Sequence, residues 1–264
     1  MLQIIKTTIV GIFRDRIFYG IIALAVLFFF VPSVASLSMR QVTELSITLS
    51  LSLISIILLL LAVFLGATSI WRDMERRYTL STLSLPLSRS SYVLGRFFGL
   101  SLFLVMTSVF LGVIACIAIS VSASIYPSDR PVHWDLVVLA LVFSTLKYIL
   151  LVAVAVLLST VSTSFFLPIF GTISLYFSSG ITQQVFDYIY TSVGAKDVTP
   201  LVKAAAAALY YILPNLTGFN LNVNAIYQIP PKSGGILLTC VYFIGYTAIL
   251  LGSACLLFER REMK

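Results

Sequence analysis

Long apolar blocks separated by short polar stretches set the pattern of this chain. The blocks fall at about 17–37, 45–70, 97–123, 136–158, 165–182 and 236–258. About 20 apolar residues at a helical rise of ~1.5 Å cross the ~30 Å hydrocarbon slab of a bilayer. Inside that slab the backbone must bond to itself, so such blocks form helices. The pattern predicts an all-α, polytopic membrane protein with six transmembrane helices. Ahead of the first block, Ile4, Ile5, Ile9, Ile12 and Phe13 recur at near-helical spacing beside the polar Lys6, Arg14, Asp15 and Arg16. That spacing predicts an N-terminal interfacial helix on the inner leaflet, and a plain start to the first span would also produce it. The basic lead and Val34-Ala35-Ser36 share features with a secretory signal. Against that reading, the apolar core is longer than a signal's and cleavage would leave an odd number of spans.

The connectors carry the turn chemistry. In 125–135, IYPSDRPVHWD, Pro127 and Pro131 stop helix on both sides, and Trp134 suits the membrane–water boundary. Residues 159–164 make a tight uncharged turn, and Pro168 lies in the first turns of the fifth span. Over 183–235 the apolar pattern weakens into an outer-face surface segment. It includes a short helix at 201–213, stopped by Pro214, and an irregular aromatic-rich stretch at 215–231. The main polar interruption is the loop 71–96, WRDMERRYTLSTLSLPLSRSSYVLGR. It holds Arg72, Arg76, Arg77, Arg89 and Arg96 with the acids Asp73 and Glu75.

Composition agrees with the pattern. The chain is 59% hydrophobic and 10% charged, with mean hydropathy +1.06. A soluble domain carries roughly a quarter charged residues. The net charge of +7 is a topology signal before it is a nucleic-acid signal, and no nucleic-acid partner is expected. With the N-terminus inside, the inner segments hold Lys6, Arg14, Arg16, the five loop arginines, Arg260, Arg261 and Lys264. The outer segments hold only Arg40, Arg130, Lys196, Lys203 and Lys232. Basic residues concentrate on the cytoplasmic side, so both termini are expected there.

Chemistry of its own is hard to find in this chain. No GxxxxGK[ST] phosphate loop and no dinucleotide fingerprint occurs, so ATP-driven work would need hydrolysis in another chain. His133, flanked by Asp129 and Asp135, lacks the further ligands that a metal needs. Cys116, Cys240 and Cys255 all lie inside apolar blocks and read as packing residues. Asn215-Leu216-Thr217 matches a glycosylation sequon, a three-residue signal of little weight. No catalytic, cofactor or metal residue is assigned, and the chain is not expected to be an enzyme. Lys147 stands about 11 residues into the fourth span, near mid-bilayer. Such a charge faces the bundle interior or a wet cavity. It is either a pathway or gating contact or a lysine bonded to a neighbouring helix. No acidic residue lies mid-span to pair with it, which also argues against an ion-coupled carrier. Gly95 and Gly99, four apart, suit close helix packing.

In the central loop, residues 73–85 can form about three helical turns before Pro86 forbids continuation. Leu80 and Leu83 share one stripe with Arg76 or Arg77 above them, and Ser88 can cap the next helix. This is either a docking helix for a soluble partner or a solvated basic loop.

The stretch ERRYTLSTLSLPLSRSSYVLGRFFG, residues 75–99, resembles the cytoplasmic signature of ABC-2-type transporter permeases. The matching positions are Glu75, Arg76, Thr79, Leu80, Leu83, Pro86, Ser88, Arg89, Gly95 and Arg96. RDRIFYG at 14–20 is similar to the family's N-terminal entry, and Tyr78 stands where many members have Gly. The resemblance implies a cytoplasmic coupling helix within 71–89, with Glu75, Arg76, Arg77, Thr79, Leu80, Leu83, Pro86 and Arg89 meeting the ATPase. It also implies two ATP-binding cassette subunits, which bind ATP and Mg, and a second permease copy, identical or related. Cargo would move outward or be extracted from the bilayer, in a cell membrane of bacterial inner-membrane type. Membrane lipid and an outer-face accessory protein are further candidate partners. Two other classes stay open: a non-transporting anchor or regulator of an ATPase complex, and a secondary carrier.

Overall fold

The computed structural model describes residues 2–13, 16–38, 41–75, 88–125, 131–191 and 199–260. Helices dominate it, and among these residues there is no strand. In chain order they are α1 (Leu2–Phe13), α2 (Arg16–Ala25), α3 (Val31–Ala35), α4 (Val42–Glu75), α5 (Arg89–Ile125), α6 (Trp134–Val161), α7 (Phe166–Tyr190), α8 (Pro200–Ile212), α9 (Asn222–Tyr227) and α10 (Ser233–Arg260). Four of them, α4, α5, α6 and α10, are long and apolar enough to cross a membrane.

The first apolar block is not one continuous helix. Between α2 and α3 the chain tightens into a 3-10 helix over Val26–Phe30. Pro32 accounts for this: it has no N–H to give the Phe28 carbonyl, and its ring crowds that carbonyl in an α-helix. The Val31 N–H takes the Phe28 oxygen instead, in the shorter 3-10 register. The fifth block differs the other way. α7 continues to Tyr190 rather than stopping near 182. One turn apart, the Gln183 amide donates to both carboxylate oxygens of Asp187, at 2.9 and 3.0 Å, a pairing that supports continued helix. Within the segment after α7, the helix expected at 201–213 is α8, and the irregular stretch beyond it holds a 3-10 turn (Thr217–Phe219) and α9.

α6 is the centre of the bundle. Every residue from Leu150 to Val156 is at most 2% exposed, so the helix is surrounded on all sides. α4, α5, α7 and α10 pack around it. Small polar groups pin the long helices at depth, as expected where hydrocarbon offers no competing partner. The Ser46 and Ser122 hydroxyls bond at 3.0 Å between α4 and α5, and Ser108 and Thr145 bond at 2.6 Å between α5 and α6. The Ser55 and Tyr148 hydroxyls bond between α4 and α6. At the end away from the central loop, α9 packs on α4 and α6, and Gln228 donates from Nε2 to the Pro131 carbonyl at 2.7 Å.

Candidate functional site

The central loop joins α4 to α5, and the structure describes its two ends. Arg76, Arg77, Thr79, Leu80, Leu83 and Pro86 lie outside the described residues, and so does the side chain of Glu75, whose backbone closes α4.

The entry end is fastened to α6 and α7. Ser159, 0% exposed near the end of α6, donates its hydroxyl hydrogen to the Ala67 carbonyl at 2.8 Å. The same oxygen accepts the Trp71 N–H at 3.0 Å. One hydroxyl thus ties two successive turns of α4 to α6. The Trp71 indole also meets the Phe165 ring at 5.3 Å between centroids, at the start of α7.

The exit end is fastened to α10 and α1. Arg89 donates from Nη1 to the Glu259 carbonyl at 3.0 Å, and the Ser90 hydroxyl donates to the Glu259 carboxylate. One turn on, the Tyr92 and Phe258 rings stack at 5.8 Å with planes 19° apart, both buried. The last turns of α10 are therefore locked to the first turns of α5. On another side of α5, Gly95 and Gly99 leave room for α1. A Cβ placed on Gly95 would lie 2.9 Å from Ile4 Cγ2, and one on Gly99 2.8 Å from Thr8 Cβ. Ile4, Thr8 and Ile12, one turn apart and each 3–7% exposed, form the docked face of α1. Arg96 donates from Nη1 to the Thr8 hydroxyl at 3.3 Å and lies 5.7 Å over the Tyr92 ring, and Phe13 packs edge-on against Phe103 at 5.5 Å. Part of the apolar face of α1 is thus turned to α5 rather than to lipid.

Of the sequence-assigned coupling residues, Arg89 is placed in this network. Glu259, Phe258, Tyr92 and Ser159 belong to it as well and carry no local signal. Glu259 opens the charged tail and reads as solvated, and Ser159 reads as part of a turn.

Lys147 lies apart from the loop, deep in the bundle. Its Nζ is 4.9 Å from the centroid of the Tyr148 ring and 5.1 Å from that of Tyr176 on α7. It is thus paired with rings rather than with backbone carbonyls, and among the described residues no ion pair or hydrogen bond reaches it. At the opposite end of the bundle, His133 Nδ1 is 3.8 Å from the Asp135 carboxylate, both exposed, and the described residues hold no cluster of three metal-ligating side chains. Asn215 of the sequon is bonded both within its own loop and to α7 and α8. Its side-chain oxygen accepts from the Thr217 hydroxyl and the Thr217 and Gly218 N–H groups, and its amide donates to Gln183 and Tyr210.

Among the described residues, a helical bundle with four membrane-length apolar helices marks a multi-pass membrane protein. The sequence profile of the ABC-2 family transporter proteins matches residues 4–263, and the chain belongs to that family. Members of this family are typically the non-catalytic membrane component, and membership implies partnership with ATP-binding cassette subunits. Among curated proteins no sequence matches it significantly.

Proposed function

We propose that this chain is the permease subunit of an ATP-driven exporter, and that hydrolysis in two cytoplasmic ATP-binding cassette subunits is delivered through the loop between α4 and α5. On this reading the broken segment α2–α3 and the helix α7 complete six spans, both termini are cytoplasmic, and two permease copies assemble in a bacterial inner membrane. The observation that carries it is the mounting of the loop. Its entry is bonded to α6 and α7 by Ser159 and Trp71, and its exit to α10 and α1 by Arg89, Ser90, Tyr92 and Arg96. Close-packed interiors transmit displacement rather than absorb it, so a push on a loop held this way reaches the whole bundle. Glu75, Arg76, Arg77, Thr79, Leu80, Leu83 and Pro86 form the surface that meets the ATPase, and Arg89 joins that surface to α10.

The test has two parts. The tagged chain, solubilised from its native membrane, is expected to bring an ATP-binding cassette subunit with it. Glu75→Lys or Arg76→Glu is expected to leave that complex assembled while export per ATP hydrolysed falls at least tenfold. Unchanged export in both variants, or transport by the isolated chain in vesicles free of nucleotide, refutes the proposal.

A further inference from the structure

Lys147 stands 13 residues after Trp134 and 14 before Val161, the two ends of α6. That is about 20 Å of helix on either side. The Tyr148 and Tyr176 rings flank its ammonium. Rings attract a cation through their quadrupole, but they bring no net charge and leave three N–H donors to be satisfied. The cradle is rigid: Tyr148 is 0% exposed and its hydroxyl is bonded to Ser55 on α4. The lysine itself is only half-buried.

Among the described residues no carboxylate lies at that depth. None of the ten acidic residues falls in the middle of an apolar block, and those on described helices, Glu44, Asp73, Glu75, Asp135, Asp187 and Glu259, stand in end turns. Along the helices that build the cradle, the acids nearest to it in sequence are Glu44, Asp135 and Asp187. They stand 11, 12 and 11 residues from Ser55, Lys147 and Tyr176, which is about 16 Å or more of helix. A second copy of the chain would bring the same distribution. A charge at mid-bilayer is costly unless it is paired or hydrated, and the described residues offer Lys147 no counter-charge at that depth. Next to the cradle, the outward face of α7 carries Phe170, Phe177 and Ile181, each 59–60% exposed, a surface that matches an alkyl chain.

We propose that Lys147, with Tyr148 and Tyr176, binds the anionic head of an acidic amphiphile, a phosphate or carboxylate carried on an alkyl chain, and that this is the class of cargo the permease moves. The word cargo rests on the permease reading, whereas the binding does not.

The probes are hexadecyl phosphate and the zwitterionic hexadecylphosphocholine, titrated against the purified full chain in a neutral detergent and followed by native mass spectrometry. Wild type is expected to hold the acidic probe at least about tenfold more tightly, the preference one added charge-assisted contact gives. Lys147→Met should erase that preference and Lys147→Arg should keep it. Inorganic phosphate should not compete, because an alkyl chain is part of what is recognised. Equal affinity for the two probes, an undiminished preference in Lys147→Met, or full competition by inorganic phosphate overturns the proposal. If Lys147→Met does not stay monodisperse, a photoreactive hexadecyl phosphate on wild type decides. Label on the peptide containing 147 or 176 supports the site, and label elsewhere sinks it. A chain that shows the preference but recruits no ATPase would keep this site and refute the permease, and the reverse result would do the opposite.

Discussion

Replacing Gly99 by alanine adds one methyl group where α1 lies closest to α5. The new Cβ would sit 2.8 Å from Thr8 Cβ and 3.0 Å from Thr8 Cγ2. Carbon atoms in contact prefer about 3.5–4.0 Å, so the deficit is about 1 Å. Thr8 Cβ is fixed to its own backbone and cannot rotate away, which means α1 must retreat as a body. That retreat stretches the Arg96–Thr8 bond, already 3.3 Å, past useful hydrogen-bond length. Overpacking of this kind costs about 1–3 kcal/mol. The cost falls on the docking of α1, while α5 itself gains up to ~1 kcal/mol of helix propensity from alanine. The expected signature is local: amide exchange in residues 2–13 accelerates about five- to hundredfold, since ~1.4 kcal/mol is a factor of ten in the opening equilibrium. Hydrogen–deuterium exchange on the full chain in detergent reads it. Gly11→Ala is the internal control, because nothing lies within 4 Å of a Cβ there, and it should slow exchange in α1. Unchanged exchange in Gly99→Ala, or greater loosening in Gly11→Ala, would refute the close-packed seam.

Ser55→Ala strands the buried Tyr148 hydroxyl and should cost about 1–3 kcal/mol; adding Tyr148→Phe should recover much of it, and additive losses in thermal melts would disprove the pairing. Gly66→Val places a Cβ 2.7 Å from Ala155 Cβ between α4 and α6 and should cost about 2–3 kcal/mol, whereas Gly252→Ala, with nothing within 4 Å, should leave the melting temperature unchanged or raised. Glu259→Ala removes the Ser90 bond from an exposed site and should shift stability by under about 0.5 kcal/mol. In the assembled complex it should nevertheless lower export per ATP severalfold, a split between stability and coupling that a purely structural role would not produce.

The sequence carries the periodic elements and loses the pairings. The helical character of the apolar blocks was legible because lipid leaves a backbone no alternative, whereas the centrality of α6 was not, because a lipid-facing helix such as α5 is apolar on every side as well. Gly95 and Gly99 were legible as a close-approach surface; that α1 occupies it was not, because a glycine says only that something comes near. Pro32 was visible inside the first block, and the 3-10 stretch before it is the ordinary consequence of a missing N–H. The Gln183–Asp187 pair was visible too, yet two polar residues at the end of an apolar block read equally well as a boundary. Least legible were Glu259 and Ser159. Each meets its partner across a long stretch of chain, Ser90 across 169 residues and Trp71 across 88, and no local pattern encodes such a distance.

The placement of these contacts bears on how a lever in this position would work. Ser159 joins two successive turns of α4 to α6 through one oxygen, so the entry end cannot slide along its neighbour without breaking both bonds. At the exit the Glu259 carbonyl and carboxylate hold successive residues, Arg89 and Ser90, and the Tyr92–Phe258 stack lies one turn deeper. A slide of one helix along the other would cost all three contacts, whereas a tilt of α5 and α10 together would cost none of them. An apolar cleft of about 570 Å³ opens among α4, α5 and α6, lined by residues such as Leu51, Val113 and Val138. Motion entering at the loop would therefore be stiff where it starts and find free volume where it ends. Glu259→Ala probes the bonded end without touching the cleft.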